Sequence, residues 1–171
     1  MLEITLFGPT TVVLHDGSRL TAGELGGVKS RQILEVLALT PGVPVAKEQL
    51  AERLWDQRPP RTYLATLESY VCVLRRALKL ERGRAAAVAT TSRGYVLRED
   101  QVRVDVVEVR RRLRDAAVVG SENARRVEEA VRIAMVPLLA SDHGADWVVA
   151  ERDSLGRALV EACSQAAANA L

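Results

Sequence analysis

Between Gln57 and Arg98 the sequence sets nine bases, Arg58, Arg61, Arg75, Arg76, Lys79, Arg82, Arg84, Arg93 and Arg98, against two acids, Glu68 and Glu81. That window carries +7 in a chain whose total is +2, so the remainder is net acidic. Cationic groups concentrated in one stretch suit one chemistry above others, the pairing with a polyanion, nucleic acid first. A solvated helix face followed by a charged loop would give the same count. Where the bases fall on secondary structure therefore decides between the two.

Leu64, Leu67, Val71, Leu74 and Leu78 lie at helical spacing and predict a helix from about Thr62 to Leu80. With Leu67, Val71, Leu74 and Leu78 turned inward at about 100° per residue, Thr62, Ala65, Thr66, Ser69, Val73 and Arg76 occupy the opposite face. Small hydroxyls and an arginine are compatible with a helix lying in the major groove. There the hydroxyls bond phosphates or base edges, Arg76 pairs with guanine or a phosphate, and Ala65 and Val73 offer apolar contact. An ordinary exposed face would be full of Glu and Lys, and this one is expected to carry neither. Arg58 and Arg61, with Thr62, flank the start of the helix and are placed to hold a phosphate. Arg75 borders the buried stripe, so it is expected to reach a phosphate or an internal partner. Arg93 stands between Ser92 and Gly94 at a turn, from which it would enter an adjacent minor groove.

The elements that position these residues follow from turn signals and periodicity. Two alternating runs, Ile4 to Phe7 and Thr11 to Leu14, are broken by Gly8-Pro9 and closed by Asp16-Gly17, which predicts a small antiparallel sheet of two or three strands. Helical spacing then covers Val28 to Leu39, stopped by Thr40-Pro41-Gly42, and Lys47 to Trp55, before Pro59-Pro60 opens the long helix. Ala87 to Thr91, the turn Ser92-Arg93-Gly94 and Tyr95 to Arg98 read as a β-hairpin. Past Asp100 the patterns are helical: Asp105 to Val119, Asn123 to Leu139, with Gly120-Ser121 between them and Ser121-Glu122-Asn123 as caps, and Trp147 to Leu171. Strands, three helices and a hairpin, with a helical piece behind, describe a winged helix-turn-helix in an α+β chain. The expected boundary lies near 99 to 104, giving residues 1–100 and 101–171.

Other chemistries find little support. There is no G-x-S-x-G elbow, P-loop or dinucleotide glycine fingerprint, and no histidine near a nucleophile, so the chain is not expected to be an enzyme. Cys72 and Cys163 suit neither a disulfide framework nor a zinc site, and His15 and His143 lack ligand neighbours; neither metal nor cofactor is expected. Asp142, His143 and Asp146 share a loop and read as solvated, while Trp55, Trp147, Met135, Leu138 and Leu139 read as packing residues. The longest uncharged apolar stretch, Ile133 to Ser141, contains Pro137 and is too short to span a bilayer, and the amino terminus does not read as a secretory signal, so a cytoplasmic location without membrane contact is expected.

The residues also carry a family resemblance. Lys29-x-Arg31-Gln32-x-Leu34, Gln49-Leu50-x-x-x-Leu54-Trp55, Pro59-Pro60-x-Thr62, Leu67-x-x-Tyr70-Val71-x-x-Leu74-Arg75-Arg76-x-Leu78 and Arg93-Gly94-Tyr95-x-Leu97 occur in that order, after an opening Leu6-Phe7-Gly8-Pro9. Together they resemble the Streptomyces antibiotic regulatory protein family, transcriptional activators with an OmpR-type winged helix followed by a bacterial transcriptional activation domain. Asp105, the helix around Ala130, and Trp147 with Glu151-Arg152 are similar, more loosely, to the start of that helical domain, which is built from tetratricopeptide-like hairpins and normally extends further than the residues here, so a truncated helical domain is expected.

The resemblance implies binding of double-stranded DNA at promoter direct repeats, pairing of two protomers as a homodimer on DNA, contact with the RNA polymerase holoenzyme, and activation of a secondary-metabolite (antibiotic) biosynthetic cluster. Cys72-Val73 stands where family members usually have Ser-Arg, which removes one charge-assisted contact. That departure sustains the alternative, a protein–protein interaction module whose winged helix no longer reads DNA.

Overall fold

The computed structural model describes residues 1–80, 86–115, 121–142 and 144–168. It opens with β1 (Leu2–Thr5), β2 (Thr11–Val13) and β3 (Arg19–Leu20), paired antiparallel in sequence. Leu2 and Ile4 point into the core and Glu3 to solvent, the alternation a half-buried strand requires. The sheet has a fourth strand that periodicity does not indicate, β6 (Val102–Val104), which lies parallel to β1 with Leu2 opposite Val102 and Ile4 opposite Val104. Three residues are too few to show a period of two, and the partner strand is a hundred residues away. The expected purely antiparallel sheet is therefore a mixed one, and the segment expected to divide the chain carries an edge strand of the first sheet.

Three helices follow the opening strands, α1 (Val28–Ala38), α2 (Lys47–Leu54) and α3 (Tyr63–Ala77). Beyond α3 the chain reverses: Lys79 takes φ 51°, its amide bonds the Arg76 carbonyl, and the Leu80 amide bonds that of Arg75. This paired closure consumes two end carbonyls, which is why α3 stops short of Leu80. The hairpin then forms as expected from β4 (Val88–Thr91) and β5 (Gly94–Leu97). Val45, just before α2, exchanges two backbone hydrogen bonds with Tyr95. Gly94 is required there, because a Cβ would sit 2.0 Å from the Val45 carbonyl oxygen.

The helical half comprises α4 (Asp105–Asp115), α5 (Ser121–Ala134) and α6 (Asp146–Ala168). The expected joint through Gly120, like Glu81, Arg82, Arg84 and His143, lies outside the described residues. Asp105 fixes the start of α4 to the first sheet, its carboxylate accepting from the amides of Leu6, Phe7 and Val106. α5 ends five residues before the expected Leu139, since Pro137 cannot continue a helix. The chain instead crosses back to the exit of β1, where Leu139 donates to the Leu6 carbonyl and Ala140 to that of Gly8.

One hydrophobic core runs through both halves, joining Leu6, Leu34, Leu67, Leu97, Val106 and Leu139 among others. Leu138 and Leu139 are buried as expected, and Trp55 and Trp147 are half-buried against the core. Met135 is a correction: it is 79% exposed, because it lies past the end of α5, where the helical period no longer holds. Asp142 is a second correction, buried rather than solvated, with Arg31 and Gln32 of α1 on its carboxylate. Among the described residues no helix is long and apolar enough to cross a membrane.

Candidate nucleic-acid interface

α3 is a rod of 15 residues, about 22 Å long, presented by its neighbours. Leu67, Val71 and Leu74 bury one side, and Ser30 of α1 donates its hydroxyl to the Tyr70 carbonyl at 3.2 Å. At the middle of the helix, the Trp55 ring stacks on Tyr70 with centroids 6.3 Å apart, and the Lys29 ammonium lies 6.0 Å from the Trp55 centroid. The loop between α2 and α3 turns through Asp56 and Gln57, both left-handed at φ 50° and 63°. Two successive non-glycine residues in that region fix the direction in which Arg58 and Arg61 leave the loop.

The outer face holds most of the residues that periodicity placed there. Arg58, Arg61, Thr62, Ala65, Ser69 and Arg76 are exposed, as is Arg93 at the hairpin turn. Among the described residues, the guanidinium groups of Arg58, Arg61, Arg76 and Arg93 meet no acid and no hydrogen-bond acceptor. Thr66 is half-buried, and its hydroxyl donates to the Thr62 carbonyl at 3.0 Å, leaving only acceptor capacity for a ligand. Val73 lies at the margin of the face, 37% exposed, with its Cγ1 directly above Gly26, where a Cβ would come within 2.4 Å.

Arg75 takes the internal partner of its two expected ones. Its Nε donates to the Val88 carbonyl and its Nη2 to Thr90 Oγ1, each at 2.9 Å. That side chain straps the hairpin to α3, so the turn carrying Arg93 is held at a fixed offset from the helix. Lys79 and Arg98, two further bases of the stretch, are likewise engaged, with Asp16 at 2.8 Å and Asp100 at 2.6 Å.

Glu68 departs from the expectation that this face carries neither Glu nor Lys. Its side chain is 60% exposed and bonds the Lys47 ammonium at 2.8 Å, and the same ammonium lies 5.7 Å from the Tyr95 ring centroid. Hydrogen bonding to Glu68 raises the Lys47 pKa. The helical wheel holds half of the signal, since Glu68 lies a quarter turn from Leu67; nothing local marks Lys47, which is 21 residues earlier. The pair neutralises the one acid on α3, so the potential of the face is set by the free arginines. Among the described residues no three His, Cys, Asp or Glu side chains gather as metal ligands, and Cys72 and Cys163 are free thiols.

Comparison with known proteins agrees with this geometry. Residues 25–97 match the family described as "Transcriptional regulatory protein, C terminal". The chain is 31% identical over 111 residues to regulatory protein DnrI of Streptomyces peucetius, covering 61% of this chain and 39% of that protein. It is 32% identical over 77 residues to transcriptional regulatory protein MoaR1 of Mycobacterium bovis, covering 45% and 24% respectively. The fold matches a structure of Mycobacterium tuberculosis EmbR in complex with a low affinity phosphopeptide, with a TM-score of 0.72 and 26% identity over 94% of this chain and 43% of that one. The chain thus spans well under half the length of these relatives. The family is one of transcriptional regulators and not of enzymes. With an OmpR-type winged helix over residues 25–97, the motifs quoted above in order and a helical segment packed behind, the chain is similar to the Streptomyces antibiotic regulatory proteins, a family of transcriptional regulators.

Proposed function

We propose that the protein is a sequence-specific DNA-binding regulator that sets α3 in the major groove and the hairpin turn in the neighbouring minor groove. The observation that carries this reading is the set of guanidiniums, Arg58, Arg61, Arg76 and Arg93, that meet no partner among the described residues and bracket an α3 face of small side chains. Arg58 and Arg61, beside Thr62, meet a phosphate at the amino end of α3. Arg76, near the other end, reaches a guanine edge or a second phosphate, and Arg93 enters the minor groove. Thr66 and Ser69 contribute acceptor and hydroxyl contacts to the bases, Val73 contributes apolar contact at the margin, and Arg75 acts by fixing the wing. Residues 1–100 form the DNA-binding unit and residues 101–171 the helical unit of a bacterial transcriptional activation domain. The two remain tied by β6.

On family grounds, two protomers bind head-to-tail at promoter direct repeats in the cytoplasm and contact the RNA polymerase holoenzyme to activate a secondary-metabolite cluster. The test is a selection of bound fragments from the source organism's own sheared DNA at moderate salt. Enrichment of fragments that share a direct repeat supports the reading and names the promoter. Recovery of unrelated fragments or of none removes it, and leaves the interaction module as the function.

A further inference from the structure

Three ionisable side chains are buried together where the helical half meets α1. Thr10, Arg31, Gln32, Glu35 and Asp142 are each between 0% and 8% exposed, although Asp142 is 111 residues from Arg31 in sequence. The Asp142 carboxylate accepts from Arg31 Nη2 at 2.9 Å and from Gln32 Nε2 at 2.7 Å. Thr10 Oγ1 donates to Glu35 Oε1 at 2.5 Å. Arg31 Nε lies 3.1 Å from the same Glu35 oxygen but is not aligned to donate to it. Glu35 Oε2 is buried and receives no donor.

That arrangement leaves one cation facing two carboxyl groups in a site closed to water. Two ionised carboxylates side by side would repel strongly there, and one guanidinium balances only one of them. Burial, first of all, and then the neighbouring Asp142 push the Glu35 carboxyl up to about 8. Burial acts on Asp142 in the same direction, yet its hydrogen bonds with Glu35 and Gln32 and the Arg31 charge outweigh it and hold Asp142 below the usual carboxylate range. The proton therefore resides on Glu35 at neutral pH. Oε2, the buried oxygen without a donor, is the position open to that proton, with Asp142 as the neighbouring carboxylate.

We propose that this cluster is a proton-operated latch, in which one proton shared by Glu35 and Asp142 holds the segment 137–142, and with it the helical half, against α1. The latch reaches the outer face of the molecule through α1, whose Ser30 bonds the backbone of α3. The other charged groups around the joint are Lys29 at the start of α1, which feels the Asp142 charge, Arg110 of α4 on the Leu39 carbonyl and paired with Glu151 of α6, Arg152 of α6 on the carbonyls of Leu138 and Leu139, and the Asp105 carboxylate on the amides of Leu6 and Phe7.

The direction of the pH dependence follows from linkage. Glu35 holds its proton to about 8 in the closed joint and, once released into water, ionises at its ordinary value of 4.5. Opening thus releases a proton throughout that window, so the opening constant rises up to about tenfold per pH unit and levels off above it. Asp142 works oppositely in acid, where protonating it loosens the joint.

Hydrogen exchange on the whole chain between pH 5.5 and 9, corrected for the intrinsic chemical rate, tests the proposal. The reporting amides are Leu139, Ala140 and Asp142, which bond the carbonyls of Leu6, Gly8 and Leu139. Their protection is expected to fall up to about tenfold per pH unit and then level off near 8, while α3 amides stay protected, and Glu35→Gln should flatten the profile. A wild-type profile without slope, or a Glu35→Gln profile with the wild-type slope, overturns the latch. Should Glu35→Gln fail to fold, infrared spectra of wild-type protein carrying carbon-13 glutamate decide. A protonated glutamate carboxyl present at pH 6 and gone by pH 9 is expected, and its absence at pH 6 overturns the proposal.

Discussion

Two sets of arginines in this molecule are used in opposite ways. In the helical half, Arg110 meets Glu151 at 2.7 Å, Arg111 meets Glu108 and Asp115, Arg112 meets Glu108 and Glu129, and Arg132 meets Glu128. Around α3, Arg58, Arg61, Arg76 and Arg93 project with no acid beside them among the described residues. Both groups are cationic, so composition alone does not separate them. What differs is the neighbourhood. A guanidinium already paired has to exchange one anion for another to bind a phosphate, whereas a free one gives up only water and condensed counterions. Around α3 the uncommitted cations are therefore the ones most readily available to an external anion, whereas the paired ones of α4 and α5 hold the chain to itself.

The largest effects belong to charges committed inside the fold. Asp142→Ala strips the hydrogen-bond acceptor from Arg31 Nη2 and Gln32 Nε2 and leaves the buried guanidinium with Glu35 alone beside it, with an expected loss of up to about 3 kcal/mol in urea unfolding. If Asp142→Ala costs no more than a surface substitution, the joint is solvated and the contrast between internal and external charges fails there. Next comes the close approach at the wing. Gly94→Ala drives a Cβ against the Val45 carbonyl at a backbone angle of φ 145°, and should cost on the order of 1–3 kcal/mol while detaching the hairpin from the segment before α2. The change in thermal midpoint, with loss of exchange protection at the Tyr95 amide, measures it.

Arg76→Ala and Arg93→Ala sharpen the comparison from the other side. Each should leave unfolding unchanged and weaken binding to a selected DNA site about tenfold. Each should also make the dependence of affinity on salt shallower, by about one released counterion for every phosphate that the variant no longer touches. Arg111→Ala, from the paired set, is the control and should leave the DNA titration where it was. Equal weakening by Arg76→Ala and Arg111→Ala would mean that general charge, and not the free face of α3, attracts the duplex.

The same division between local and distant partners separates what the sequence makes legible from what it conceals. α3 and its outward residues follow from the spacing of Leu67, Val71, Leu74 and Leu78, because helical period and burial are both local properties. The hairpin follows from Ser92-Arg93-Gly94 for the same reason. Arg75 is half legible: the wheel puts it at the border of the stripe, but its bonds to Val88 and Thr90 need the hairpin placed beside the helix. The burial of Asp142 and the strand β6 are not legible at all. Each depends on a partner some hundred residues away, and a short polar loop or a three-residue strand has no period from which that partner could be inferred. Met135 fails for a related reason, since its apolar periodicity runs on toward Pro137, where the backbone cannot remain helical.

The smallest effect tests whether pairing in the helical half contributes to folding or only occupies the arginines. Arg112 is 27% exposed on its side chain and joins α4 to α5 by bridging Glu108 at 2.9 Å and Glu129 at 2.6 Å. Much of that attraction is screened by water, so Arg112→Ala should cost at most about 1 kcal/mol, and less as salt is raised. Hydrogen bonds from Arg111 and Arg112 hold the Glu108 carboxyl down at about 2 against an ordinary 4.5. Its contribution is then fully present above about pH 5 and is lost as the pH falls toward 2, because the unfolded chain takes up the proton first. The difference in stability between wild type and Arg112→Ala should therefore narrow over that range. A difference that persists unchanged to pH 2 would show that the Arg112 stem acts by packing between α4 and α5, and that its charge is as free of internal duty as that of Arg76.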